Sequence, residues 1–296
     1  MLLRLFSAVV APAVSYGCEV WGSQLQGRLD SDAKKLQGVQ SAFLRGVCAR
    51  LPVGIPMPAI LNEVAQDPCT LSWWVQHVRF AVQLSAMPSG SLHRDVLRDN
   101  ILDAFAKPAA GNWAAQVIRQ FRSLGLPAPF AHDGTVSIDK SSFRAKLAGK
   151  HHEVWQGLHV SPRSAPSKGA KLCTYHRWFA RIGPVSEPYY HLPLSDRSLR
   201  RLFRFRLGAH GLPVEMGRRL RMARVARVCP LCPGMHVGDE RHYIFDCPSF
   251  DDIRMQHSRL FDDSHGAMRL FIWHPHQKGV ASCLLQMLDR IDQLLT

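Results

Sequence analysis

Between positions 229 and 247 the chain reads CPLCPGMHVGDERHYIFDC, placing Cys229, Cys232, His242 and Cys247 at the spacing Cys-x2-Cys-x9-His-x4-Cys. No other segment restricts the fold so tightly. Two thiolates three positions apart can share a tight turn, which Pro230 and Pro233-Gly234 supply, and both can then reach one tetrahedral ion. A His and a Cys five positions apart can close the site from a following helical or looped segment. Four protein ligands leave no position for water, so the site reads as structural, and thiolate-rich ligation favours zinc over magnesium or manganese. One structural Zn2+ is therefore expected. The histidine is the least constrained ligand, because His236 and His257 are also near the cysteines. Asp239, Glu240 and Asp246 are close enough in sequence to orient a ligating imidazole through its other nitrogen. The competing reading is reduced thiols on a hairpin, with His242 an ordinary polar loop residue.

With 296 residues, 46% of them hydrophobic and 20% charged, the chain can bury a core in one large domain or two modest ones. Lys and Arg number 37 against 23 Asp and Glu, a formal charge of +14. That excess points to an anionic partner, RNA or DNA first, with a membrane surface or an acidic protein as alternatives. Eight scattered cysteines do not make a disulfide framework and suit a reducing, intracellular compartment, nuclear or cytoplasmic. The start, MLLRLFSAVVAPAVSYGC, has the Arg4 and small residues of a signal peptide, but Pro12 interrupts it and the expectation is a buried first helix. No segment has the length of a membrane span, and no internal repeat is evident.

The expected fold class is mainly α: an N-terminal helical domain, a linker, and a small zinc-binding module followed by a C-terminal helix. After the cap candidates Asp30 and Ser31, one helix face is Leu36, Val39, Phe43, Leu44 and Val47. Leu71, Trp74, Val75, Val78 and Val82 make a second stripe, and Leu92, Val96, Leu97, Ile101 and Phe105 a third. Trp113, Val117, Ile118 and Phe121 make a fourth, ending at Gly125. These stripes define a domain over 1–125. Residues 126–194 read as irregular, with SPRSAPSKGAK at 161–171 as a linker and a short segment around Tyr175, Trp178 and Phe179. Ser195 caps a helix that stops at Gly208, opening a basic and metal-binding region over 195–260. Over 261–296, Val280, Leu284, Met287, Leu288, Ile291 and Leu295 mark a docking helix or, alternatively, a dimer seam.

Ahead of the cysteines stand Arg197, Arg200, Arg201, Arg204, Arg206, Arg218, Arg219, Arg221, Arg224 and Arg227, with few acids among them. Leu199, Leu202, Phe203 and Leu207 can turn to the core while the arginines face outward. Guanidinium suits forked contacts with phosphate, so all ten are candidate nucleic-acid contacts, read as contacts to the backbone rather than to bases. The alternative is a solvated face paired with acids elsewhere.

Two groups of motifs carry a family resemblance. RFRLGAHGLPVEMGRR, RVCPLC and VGDERHYIFDCPSFDDIR resemble the region after the polymerase core of LINE-type, non-LTR retrotransposon reverse transcriptases. LFSAVVAPAVSYGCEVWG, KKLQGVQSAFLRGV and ILNEVAQDP resemble the thumb-like segment that follows the palm in the same proteins. The resemblance covers about residues 1–85 and 196–256. It implies zinc ligation by Cys229, Cys232, His242 and Cys247 and a role in gripping template RNA and target DNA. Polymerase chemistry needs carboxylates holding two metal ions, usually on a Tyr-x-Asp-Asp turn, and none is present. Asp251-Asp252 and Asp262-Asp263 lie in polar, helix-like sequence and are not that motif. The expectation is a noncatalytic nucleic-acid-binding fragment, with a separate polymerase core as a possible partner. The alternatives are a zinc-stabilised protein-interaction domain and a retroelement remnant without function.

Overall fold

A computed structural model describes residues 5–21, 38–51, 55–107, 111–159, 175–179 and 187–295. Helices dominate, and among the described residues pairing is limited to isolated bridges at Phe130–Val136 and Val228–Val237. The chain divides into two units, Met1–Phe43 with Asp67–Leu158 and Leu44–Gln66 with His159–Thr296. No described helix is long and apolar enough to cross a membrane.

In the first unit a π-helical turn, Phe6–Val10, runs into α1 (Ala11–Val14), and α2 (Cys18–Trp21) follows. Phe6 and Cys18 pack with Cys69 and Trp73 of the long helix α4 (Cys69–Ser85), whereas Leu5 and Val9 are exposed. The N-terminal segment is thus buried through one edge only. Pro68 cannot cap α4 with a side chain, and the buried Gln40 does so instead: its Oε1 accepts from Cys69 N–H at 3.2 Å while its Nε2 donates to the Asp67 carbonyl. On the other side of α4, Leu71, Trp74, Val78 and Ala81 meet α5 (Leu92–Ala106), α6 (Trp113–Ser123) and α7 (Lys140–His159). Asn112 caps α6 by accepting from Ala115 N–H at 2.8 Å, and α6 closes at Gly125, whose φ of +65° suits glycine.

Two sequence expectations change here. On α5 the buried face is Leu97, Ile101 and Ala104, while Leu92 and Val96 are exposed, because a 3.6-residue period cannot carry 92, 96, 97, 101 and 105 inward together. The stretch from 126 is not irregular throughout, since α7 inserts Phe143 and Leu147 into the core, with Phe143 stacked on Phe121 at 4.7 Å. Sparse apolar residues in a Lys-rich and Ser-rich helix left no visible stripe. The first unit therefore extends past 125. Leu36, the Asp30 and Ser31 caps and the 161–171 linker lie outside the described residues; of the remaining stripe before α4, Leu44 is buried and Val39 is exposed.

The second unit contains α3 (Met57–Glu63), α8 (Asp196–Arg206), α9 (Pro213–Arg219), α10 (Asp251–Gln256), α11 (Ser258–Ser264), α12 (Met268–Ile272) and α13 (Gln277–Leu295). Ser195 caps α8, accepting from Ser198 N–H at 3.2 Å, and Gly208 follows its end at φ +62°. Leu202, Phe203 and Phe205 are buried, as are Tyr175, Trp178 and Phe179 of the earlier short segment. On α13, Val280, Leu284, Met287, Leu288 and Ile291 are buried within their own unit, and α13 packs on α8 and α10. The stripe is an intramolecular docking face, not a free dimer seam. The regions expected over 195–260 and 261–296 belong to one unit.

Candidate metal centre and arginine cluster

The first arm of the cysteine region is a loop closed at its base. Cys229 N–H donates to the His236 carbonyl and Gly238 N–H to that of Arg227, both at 2.8 Å, so the chain doubles back between Val228 and Val237. Asp239 starts the second arm: its Oδ1 accepts from His242 N–H at 3.0 Å and its carbonyl from Tyr243 N–H at 3.1 Å. The chain then makes one π-helical turn, His242–Asp246, closed by Cys247 N–H on the His242 carbonyl at 2.8 Å. An i to i+5 bond defines that wide turn, which explains the x4 spacing: His242 and Cys247 fall one turn apart on one side. Ser249 Oγ donates to the Leu231 carbonyl at 2.9 Å and joins the two arms, while Arg254 donates to the carbonyls of Ile244 and Cys247.

Cys229, Cys232, His242 and Cys247 meet at the centre, with their ligand atoms all within 4.8 Å of one another, and could hold a metal ion. The Sγ atoms of Cys229 and Cys247 are 3.9 Å apart, and Cys232 Sγ is 3.4 Å from His242 Nε2. A tetrahedral zinc with Zn–S near 2.3 Å and Zn–N near 2.0 Å has edges of roughly 3.8 and 3.5 Å, so these two separations fit. They do not fit a disulfide, which needs about 2.05 Å. Cys229, His242 and Cys247 are buried and Cys232 is half-buried. Burial raises the Cys247 thiol to about 11, and burial, with His236 next, lowers His242, favouring the neutral imidazole that a metal requires.

His236 is exposed with its ring 5.4 Å from that of His242, and neither it nor His257 belongs to the group. The three carboxylates expected to steer the imidazole serve other partners. Asp239 holds the His242 backbone and pairs with Arg224, buried Glu240 bonds His210 at 2.9 Å, and Asp246 pairs with Arg241. Asp251 and Asp252 pair with Arg254 and Arg290, and Asp263 with His274. Among the described residues, no other Cys, His, Asp or Glu group gathers for a metal.

The ten arginines divide. Arg206 is 6% exposed and lies between Glu63 and Glu187, with its guanidinium 4.8 Å from the Phe179 ring centre and 5.2 Å from that of Trp273. Burial opposes its charge, but Glu63, Tyr189 and Glu187 outweigh that and hold it protonated. Arg227 is also buried, donating to the carbonyls of Val214 and Met222 at the base of the cysteine loop. Both are corrections to the expected contact set: neither guanidinium can reach a phosphate without unfolding its surroundings. Gly217 makes room for Arg227, because a Cβ there would lie 2.5 Å from Arg227 Cγ. Arg201 pairs with Asp289 and Asp292, Arg218 with Glu215 and Arg224 with Asp239. That leaves Arg197, Arg200, Arg204, Arg219 and Arg221 without a carboxylate partner among the described residues.

No protein-family model matches the chain, and neither does any curated protein or solved structure. The geometry adds residues that the sequence did not single out. Arg254 clamps the second arm, Tyr243 lies with its hydroxyl 3.5 Å from Cys229 Sγ, and Arg50 shares a cavity with the α8 arginines. Arg50 is too far along the chain from α8 for any local pattern to join them.

Proposed function

We propose that this chain is a noncatalytic nucleic-acid-binding module in which one structural zinc, held by Cys229, Cys232, His242 and Cys247, braces an arginine-bearing surface. The observation that carries the reading is the convergence of three cysteines and one histidine, with ligand atoms within 4.8 Å of one another, on a loop whose base is tied to that surface. Zinc is favoured over other divalent ions because three thiolates and an imidazole are soft ligands, and four of them complete its preferred shell. The tie is physical: Asp239, which holds the His242 arm, also pairs with Arg224, and Arg227 anchors the loop to α9. The resemblance to the post-polymerase region of non-LTR reverse transcriptases supports RNA or DNA as the partner and a polymerase core as a neighbour.

A second reading, an interaction domain for an acidic protein, is favoured by Leu220 and Val225, apolar side chains 72% and 79% exposed beside Arg219, Arg221 and Arg224. Two measurements test the first reading. Metal analysis of the purified protein should find one zinc per chain, and filter binding of RNA and DNA should weaken steeply with salt and fail in a Cys229→Ser, Cys232→Ser variant. Zero metal, or affinity indifferent to salt, overturns it; a protein partner retained after nuclease treatment turns the assignment to the second.

A further inference from the structure

Four arginines that lack a carboxylate partner among the described residues converge on one place. Arg197, Arg200 and Arg204 of α8 line a cavity of about 550 Å³ with Arg50, and Leu212, Leu288 and Ile291 form its apolar wall. A fifth guanidinium, that of Arg201, pairs with Asp289 and with the cavity-lining Asp292, two carboxylates that outweigh its single charge. Arg204 is held in place by the Ala209 carbonyl, which satisfies donors without removing charge. Arg200 Nε is buried and has no hydrogen-bond partner among the described residues. Arg50 has a left-handed backbone at φ +48°, a conformation unfavourable for arginine. His210 has its ring nitrogens engaged within the protein, Nδ1 with Leu212 N–H and Nε2 with Glu240.

A ligand that brings oxygen acceptors and negative charge offsets the uncompensated guanidinium charge lining the cavity. The cavity volume lies within the roughly 300–1,000 Å³ of small-ligand sites, larger than one phosphate needs, and its apolar side suits a sugar and base. Guanidinium planes also stack on bases.

We infer that this cavity binds one nucleotide unit, its phosphate against Arg197, Arg200 and Arg50 and its base against Leu212, Leu288 and Ile291. The inference rests on the nucleic-acid reading above and deepens it by naming a single-stranded or unpaired nucleotide as what is gripped, since a paired base could not enter. A free mononucleotide shares this chemistry, and the experiment separates the two sources.

The full chain is titrated with a labelled single-stranded RNA ten-mer at several salt concentrations, and separately with AMP and with inorganic phosphate. Arg197→Gln with Arg200→Gln is compared with Arg269→Gln plus Lys278→Gln, which removes the same charge from exposed positions outside the cavity. The cavity pair should weaken RNA at least tenfold, abolish AMP binding and lower the salt slope by roughly 0.7, the value for one neutralised phosphate on a single strand. The control pair should change affinity less than threefold. Because Arg200 has an unsatisfied donor, its replacement should leave the ligand-free melting temperature unchanged or raised; if the pair misfolds, Arg197→Gln alone, at an exposed position, replaces it. Wild-type RNA binding that is indifferent to the cavity pair overturns the cavity and spares the function. AMP bound through Arg200 without RNA binding upholds the nucleotide site and overturns the nucleic-acid reading. Phosphate bound as tightly as AMP overturns the base-binding wall, and binding of none of the three overturns both proposals.

Discussion

Replacing Arg206 by methionine separates a structural arginine from a binding one. The side chain is 6% exposed, while Glu63 and Glu187 beside it are 0% and 2% exposed. The contact to Glu63 is a true hydrogen-bonded pair, and that to Glu187, at 2.9 Å, is an ion pair whose angle is not that of an aligned hydrogen bond. Tyr189 adds a hydroxyl donor to Glu63 at 2.7 Å. Deleting the cation leaves two buried carboxylates without their counterion. Breaking a buried pair from one side costs about 3–5 kcal/mol, against under about 0.5 kcal/mol for the exposed Arg197→Gln. Hydrogen exchange read by mass spectrometry on peptides from α3 and α8 reports the second unit directly, avoiding a single melting curve for a chain with two units. Arg206→Met should speed exchange there by roughly two to three and a half orders of magnitude, since about 1.4 kcal/mol is tenfold. Combining it with Glu63→Gln and Glu187→Gln should recover most of the loss, because a buried ionic group replaced as a whole is close to neutral. Exchange within threefold of wild type in Arg206→Met would refute the reasoning.

Other consequences are as specific. If the proposed zinc is bound, Cys247→Ser should release it and expose the amides of residues 228–247 to exchange, and a chelator should do the same to the wild type; an unchanged exchange pattern argues against a metal-braced loop. His77, fully buried against Trp113, is lowered from 6.5 to about 4 by burial, so the folded state takes up fewer protons than the unfolded state between those values. The first unit should keep that contribution above pH 6.5 and lose up to about 3 kcal/mol as pH falls towards 4, a loss that urea titrations of His77→Phe should lack. On α5, Ile101→Ala should cost about 2–5 kcal/mol and Val96→Ala under about 0.5 kcal/mol in denaturant unfolding; equal costs would contradict the assigned face. Asn112→Ala should cost about 1 kcal/mol, measured the same way, by leaving the Ala115 N–H uncapped.

The local chemistry of this protein was legible in its sequence. The ligand set at 229, 232, 242 and 247, the Ser195 cap, the Gly125 and Gly208 stops and the α13 stripe all depend on neighbours a few residues away. Spacing along a chain is enough to decide such features, because turns and helices repeat with fixed periods. What lay beyond the sequence depends on partners distant along the chain. Ten arginines look alike in a row of letters; only tertiary structure sends Arg206 to Glu63 and Glu187, ties Arg227 to the Val214 carbonyl and gathers Arg50 with α8. The same is true of α7, whose few apolar residues acquire a core position only because Phe121 waits for Phe143. The three cysteines that could hold a metal ion were legible from residue type and spacing, whereas the grouping of His242 with them rather than His236 or His257 came from the fold. Which of the surrounding charges face solvent was decided by long-range pairing, since Arg206 and Arg227 are buried where the fold brings them carboxylate and carbonyl acceptors.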